Sequence, residues 1–239
     1  MILRVLVFYV LAFFFLMALG GGSQAAGLPA ELGLAQWGPA IGAGLMLLIF
    51  RKDGHRLTFI HRETPLMRYL LAAIIPAGAA LVVFGLTGLF IDVENAEGFE
   101  IASPLLFAIW TPLGALGEEI GWRGYLQKRL NTRLNGIVSA LIVGVMWMPI
   151  HVHLFQYGVI YMLMVTVMLM AYSVVIYALV QDTGFSILLA AIFHIIINYA
   201  NMFFLDIFAE TLFVSISAGV WLVIALVAVY TRREAILGQ

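Results

Sequence analysis

Glu118 and Glu119 stand side by side directly after the apolar run Pro104 to Leu116, and Arg123 follows four residues on. Carboxylates next to lipid cost a few kcal/mol each, at about 2.5–3.5 on insertion scales, so ionisable groups kept there pair, face water or do chemistry. On a helix Glu119 and Arg123 face each other at i and i+4, while Glu118 is rotated by about 100° from Glu119. The spacing therefore predicts a division of labour. Arg123 neutralises and fixes Glu119. Glu118 points elsewhere, its pKa free to rise by desolvation and by its anionic neighbour, as a general base requires. The bland alternative is an interfacial charge cluster at a helix end, with Trp122 and Tyr125 as an aromatic belt.

Further polar groups lie in apolar surroundings. His194 and Asn198 are again at i and i+4, roughly ten residues into an apolar segment and so about 15 Å deep. Two such donors converging on one point suit an oxyanion hole; the alternative is a polar clasp between helices. His151 follows Pro149, which loosens the helix ladder and makes room for water or a kink. His153, roughly 200° around a helix from His151, is placed at the interface, leaving His151 for the site. Two Glu and two His could bind zinc, but no His-Glu-x-x-His pattern is present.

The elements that must hold these residues are membrane helices. The chain has 239 residues, 64% hydrophobic and 10% charged, where soluble proteins carry about 25% charged residues. It has no cysteine, which excludes disulfides and thiolate metal sites, and its net charge of −1 gives no reason for a nucleic-acid partner. Eight segments approach the roughly 20 apolar residues a spanning helix needs: Leu3–Leu19, Leu34–Phe50, Met67–Phe90, Ser103–Gly121, Gly136–Ile150, Tyr157–Val180, Phe185–Phe204 and Leu212–Tyr230. The expected fold is thus all-α: a polytopic membrane helical bundle of about eight transmembrane helices, forming a single transmembrane domain over 1–239. The first segment also resembles a signal peptide with a small-residue cleavage site at Ser23-Gln24-Ala25. Retention as the first helix is the expectation, with Gly20-Gly21-Gly22 suited to a loop after it.

Charge orients the bundle. Arg4, Arg51, Lys52, Arg56, Arg62, Arg68, Arg123, Lys128, Arg129, Arg133, Arg232 and Arg233 are all 12 Lys and Arg, and with eight spans they all fall on one side. The opposite connections carry Glu31, Asp92, Glu94, Glu97, Glu100, Asp206 and Glu210 and no Lys or Arg. Positive residues favour the cytoplasm, so both termini are expected there, in a multi-pass protein of the cell membrane.

Taken in order, Glu118-Glu119-x-x-x-Arg123, Trp147-x-x-x-His151 and His194-x-x-x-Asn198 resemble the three motifs of the CAAX-protease and bacteriocin-processing (Abi) family of intramembrane proteases. The second motif usually has Phe where Trp147 stands. The similarity covers about 103–201. It implies an intramembrane endopeptidase acting on a membrane-associated peptide or protein tail, with a site opening toward the cytoplasm and lying in the cytoplasmic half of the bilayer. By analogy Glu118 activates water with His151 assisting, His194 and Asn198 stabilise the oxyanion, and Glu119 and Arg123 support the site. A metal-free glutamate mechanism is expected; the zinc alternative would take Glu118, His151 and His194 as ligands. Eukaryotic members cleave the tail after a prenylated cysteine, whereas bacterial members, which this compact chain resembles, more often process peptides or serve immunity and sorting. The competing class is a non-catalytic membrane scaffold or transporter-like protein that retains the polar pocket.

Overall fold

The computed structural model describes residues 1–91, 104–202 and 210–233. Expectations that fall on the remaining positions, including the acidic residues Asp92, Glu94, Glu97, Glu100 and Asp206, lie outside the described residues. Among the described residues every regular element is helical. They are α1 (Ile2–Ala25), α2 (Gly38–Ile49), α3 (Leu66–Thr87), α4 (Pro104–Glu119), α5 (Gly136–Trp147), α6 (Val159–Val180), α7 (Ile187–Met202) and α8 (Thr211–Thr231). Among the described residues, five segments are long and apolar enough to cross a membrane: those of α1, α3, α6 and α8, and the stretch Ala30–Ile49 that includes α2. Gly136–Ile150 and Ile187–Asn201 are shorter apolar helices.

Two boundaries depart from expectation for physical reasons. Gly20 to Gly22 are helical within α1; glycine weakens a helix by only about 1 kcal/mol per residue, which a long apolar helix tolerates. More consequentially, α4 does not end at Gly121. It runs on as a π-helical stretch (Ile120–Gln127) and a short α-turn (Lys128–Leu130). Trp122, Arg123, Tyr125, Leu126 and Gln127 are all completely buried there, so Trp122 and Tyr125 are core rather than an interfacial belt. Phe8 of α1 packs its ring 5.9 Å from Trp122 and 4.9 Å from Tyr125, which makes α1 a wall of the same core.

The connection between α1 and α2 dips back into the bundle. After α1, two 3-10 turns (Ala30–Leu32 and Leu34–Trp37) return the chain, so that a Cβ on Gly38 would meet the Leu16 backbone nitrogen at 2.5 Å. Glycines of α4 receive this strap: a Cβ at Gly114 would stand 1.9 Å from Gln36 Oε1, and one at Gly117 would press on Gln36 and Trp37. Small residues let backbones approach closely in membranes, and here they seat Gln36 directly on the helix that carries Glu118.

The two ends of the bundle differ. At one end Asp53 binds both Arg4 and Arg129, the latter at 3.1 Å. Asp182 binds Arg68 and, at 2.6 Å, Arg232. Lys128 donates to the Arg56 carbonyl at 2.9 Å and reaches the Gly184 carbonyl at 3.3 Å. These pairs draw together the start of α1, the α2–α3 and α6–α7 connections, the tail of α4 and the end of α8. The expected gathering of the basic segments at a single end is therefore what the fold contains. Asp182 sits there outside the helices; burial draws its carboxyl up, but the hydrogen bonds and charges of Arg68 and Arg232 prevail and hold it below the usual range.

Candidate active site

At the other end the bundle encloses a cavity of about 320 Å³. Its walls come from the α1–α2 strap (Glu31, Gln36), the start of α4 (Thr111), the end of α5 and the turn after it (Trp147, His151, His153), and α6 (Tyr172). The outer half of α7 completes it with His194 and Asn198. Glu118 lies against the floor, 4% exposed, behind Gln36 and Trp147. The fold thus brings Glu118, His151, His194 and Asn198 to one place.

Three neutral N–H groups hold Glu118. Gln36 Nε2 donates to Oε1 at 3.0 Å, Trp147 Nε1 to Oε2 at 2.6 Å, and Trp122 Nε1 to the same oxygen at 3.4 Å. Trp122 is four residues beyond Glu118 on one helix, whereas Gln36 and Trp147 come from distant segments. The contacts from Gln36 and Trp147 do not follow from the motif spacing, whereas that from Trp122 is an i, i+4 relation. For Trp147 the available signal was its place in the second motif; Gln36 carried no signal at all.

Glu119 and Arg123 pair as their spacing predicts. Arg123 Nη1 donates to Glu119 Oε1 at 2.8 Å with both side chains fully buried. Arg123 Nη2 donates to Ser173 Oγ at 3.1 Å, and the guanidinium lies 4.4 Å above the Trp147 ring. Two arginine faces are thereby committed to α6 and to the tryptophan that holds Glu118. The same Glu119 oxygen also lies 2.8 Å from His194 Nδ1. The expectation that Arg123 alone claims Glu119, with His194 paired along its helix to Asn198, is corrected: a carboxylate oxygen has two lone pairs and accepts from both.

The partners fix the histidine protons. A carboxylate paired with arginine has only lone pairs to offer, so His194 Nδ1 carries a proton and donates to Glu119. His151 Nδ1 lies 3.1 Å from the Trp147 carbonyl oxygen, which likewise only accepts, so that proton also sits on Nδ1. A neutral His151 then presents an Nε2 lone pair. Trp147 ties the set together, its ring 5.0 Å from His194 and 6.3 Å from His151. Among the described residues, no three His, Asp or Glu side chains are grouped as a metal ion would need.

His153 lines the cavity as well, its ring 6.2 Å from that of His151. One continuous helix could not present both, but α5 stops at Trp147. A 3-10 turn follows (Met148–Ile150), His151 breaks the geometry at φ −88° and ψ 48°, and a second 3-10 stretch begins (Val152–Tyr157). Pro149, which lacks the N–H that an α-helix would use, ends the helix rather than kinking it.

The cavity mouth is at the end away from the clustered Lys and Arg. Twelve residues, eight of them π-helical, carry the chain from Glu118 to Leu130, so Glu118 is deep in the bundle rather than near the basic end. His151, about 22 Å along α5 and its turn from Gly136, is then at a matching depth.

No curated protein matches the sequence significantly. The family model described as Type II CAAX prenyl endopeptidase Rce1-like matches residues 100–200, the stretch that contributes every motif residue of the cavity. Over that stretch the chain is similar to the Rce1-like CAAX-protease family, the resemblance that the three motifs carry.

Proposed function

We propose that this chain is an intramembrane endopeptidase that hydrolyses a peptide bond of a membrane-associated polypeptide by a glutamate-activated water. The observation that carries the reading is the setting of Glu118: a carboxylate held by three neutral donors, just behind a cavity that two of those donors, Gln36 and Trp147, line together with His151, His194 and Asn198. The match of residues 100–200 to a protease-family model supports it at the level of reaction class. The eight helices lie in the bilayer as one domain, α1 retained among them, with both termini in the cytoplasm.

In this mechanism water sits in the cavity between Glu118 and the Nε2 of His151. Its proton passes to Glu118 as its oxygen attacks the carbonyl carbon. Glu119, fixed by Arg123, holds the His194 ring, and His194 stabilises the oxyanion beside the Asn198 amide. Glu118 returns the proton to the departing amine, so each atom is accounted for without a cation. The reaction is metal-free on this reading, because Glu118 accepts from three N–H groups and the two histidines direct their Nδ1 protons to different acceptors.

Incubation of the purified protein in detergent with a peptide library, comparing wild type with Glu118→Gln, tests the proposal. Cleavage by wild type that the variant loses is the expected result. Cleavage unaffected by the substitution defeats the assignment of Glu118. Binding without cleavage by wild type points to the non-catalytic scaffold. Activity lost on prolonged chelation and restored by zinc alone would replace the metal-free mechanism.

A further inference from the structure

We infer that the cavity opens on the extracytoplasmic face of the membrane, so that its substrate is a polypeptide segment outside the cytoplasm rather than a cytoplasmic protein tail. Two independent observations meet in this statement. The first is the fold: the mouth is formed by the α1–α2 strap, the beginning of α4, the turn after α5 and the end of α7. The second is charge. Every Lys and Arg of the chain except Arg123 lies in a segment at the opposite end or just beyond it, where ion pairs join them across the bundle.

The bias of short connections toward Lys and Arg on the cytoplasmic side sets the orientation of a polytopic chain. Here the bias is complete. The connections at the mouth end contain no Lys or Arg, but Glu31 lines the cavity and Asp92, Glu94, Glu97, Glu100, Asp206 and Glu210 belong to the connecting segments. Reversing the bundle would carry eleven cations across the bilayer. Arg123, the twelfth, does not weaken the count, because it is buried against Glu119 and Ser173.

Depth supports the same assignment. The Glu118 carboxylate is separated from the basic end by the π-helical stretch, in which Trp122, Tyr125, Leu126 and Gln127 are fully buried. Arg129 and Lys128 then close that end through Asp53 and the Arg56 carbonyl. A chain arriving from the cytoplasm meets a packed plug. One arriving from the other face meets the strap, whose 3-10 turns expose Ala30 and leave Glu31 at the mouth. The choice of a peptide as occupant rests on the function proposed above; the sidedness does not.

The absence of cysteine makes the test direct. Single cysteines are placed at Ala30 (A30C) and Leu28 (L28C) near the mouth, and at Lys52 (K52C) at the basic end, all at exposed positions. Bacterial spheroplasts carrying each variant are treated with a membrane-impermeant maleimide-polyethylene glycol before and after lysis. Labelling of A30C and L28C in intact spheroplasts is expected, with K52C labelled at least tenfold more after lysis than before. The reverse pattern overturns the inference. In a second arm, a quenched fluorescent peptide library is added to right-side-out and inverted vesicles bearing wild type or Glu118→Gln. Glu118-dependent cleavage is expected in right-side-out vesicles, and its confinement to inverted vesicles also overturns the inference. Absence of Glu118-dependent cleavage in both vesicle types and in detergent sinks the hydrolase reading alone, while the cysteine labels still decide the side.

Discussion

The two ends of this bundle handle charge in opposite ways. At the basic end, cations and the carboxylates of Asp53 and Asp182 meet as ion pairs with partly exposed side chains. At the cavity end, Glu118 is held by neutral donors, and the one arginine nearby is diverted to Glu119. Glu119 is committed to a guanidinium, whereas the amide and indole N–H groups that meet Glu118 carry no charge. The adjacent Glu118 and Glu119 show the same contrast over a single peptide bond. Polar groups at the basic end pair across the bundle; those at the cavity end are buried beside a cavity.

The contrast between the adjacent glutamates can be broken from either side. Glu118→Gln should lower turnover by about 10²–10⁴-fold, the usual contribution of a general base. Its stability cost should be modest, about 1–3 kcal/mol, the penalty for a buried group left unpaired. That cost is not zero, because all three neighbours donate and a glutamine amide turns one of its two acceptors into a donor. A flip of the Gln36 amide would relieve the mismatch. Arg123→Ala should do the reverse in emphasis: removing one partner of a buried pair costs about 3–5 kcal/mol. It also frees Ser173 and uncovers the Trp147 ring. Thermal unfolding in detergent, measured for both variants beside peptide cleavage, gives the comparison. Equal destabilisation would show that the two carboxylates do not have separate roles.

Much of this arrangement was legible in the sequence because it depends on short-range periodicity. The i, i+4 relation of Glu119 and Arg123 survives in the structure as a 2.8 Å contact, and the apolar segments fall on the helices. Grouping of the basic residues at one end was legible too, since alternation of connections is a matter of counting. What could not be read depends on where helices stop and what lies across from them. The extension of α4 past Gly121 was hidden because Trp122-Arg123-Gly124 looks like an interfacial sequence, and that error put Glu118 at the wrong depth. His153 was set aside on a helical angle that Pro149 had already made inapplicable. Gln36 was invisible because it lay within the expected span Leu34–Phe50, and spacing along one segment says nothing of a partner 82 residues away.

Gln36 offers a finer test of the cavity end. Its amide is the strap's contact with Glu118 Oε1, and a hydrogen bond to a charged group is worth about 1.5–3 kcal/mol. Gln36→Ala should therefore destabilise by about that amount or less, since water can replace the lost donor from the cavity side. Its larger signature should be kinetic: a change in kcat and in its pH profile, with KM for a short peptide altered little. Gln36→Asn, which keeps the amide on a shorter stem, should recover part of the loss. A fall in stability with an unchanged pH profile would make Gln36 a packing residue of the strap and remove it from the site.

The smallest effect is expected at the basic end, where the ion pairs are numerous but wet. Asp182 is 46% exposed in its side chain and shared by Arg68 and Arg232. Exposed pairs of this kind contribute about 0–1 kcal/mol each. Asp182→Asn should accordingly cost less than about 2 kcal/mol, and Arg68 retains its 2.7 Å bond to the Leu179 carbonyl at the end of α6. The loss should shrink as salt is raised, because charges this accessible are screened over about 10 Å at 0.1 M. Acid supplies the sharper discrimination. Because the folded carboxyl titrates below its ordinary value of 3.8, the unfolded chain binds the proton first. The stabilisation is thus complete above that value and fades as pH falls through the lower, folded one. Unfolding in detergent should separate wild type from Asp182→Asn at neutral pH, with the two curves converging below pH 3.8. A gap that persists undiminished in strong acid would mean that the Asp182→Asn variant fails through packing, and that the ends of this molecule differ less in how they use charge than the ion pairs suggest.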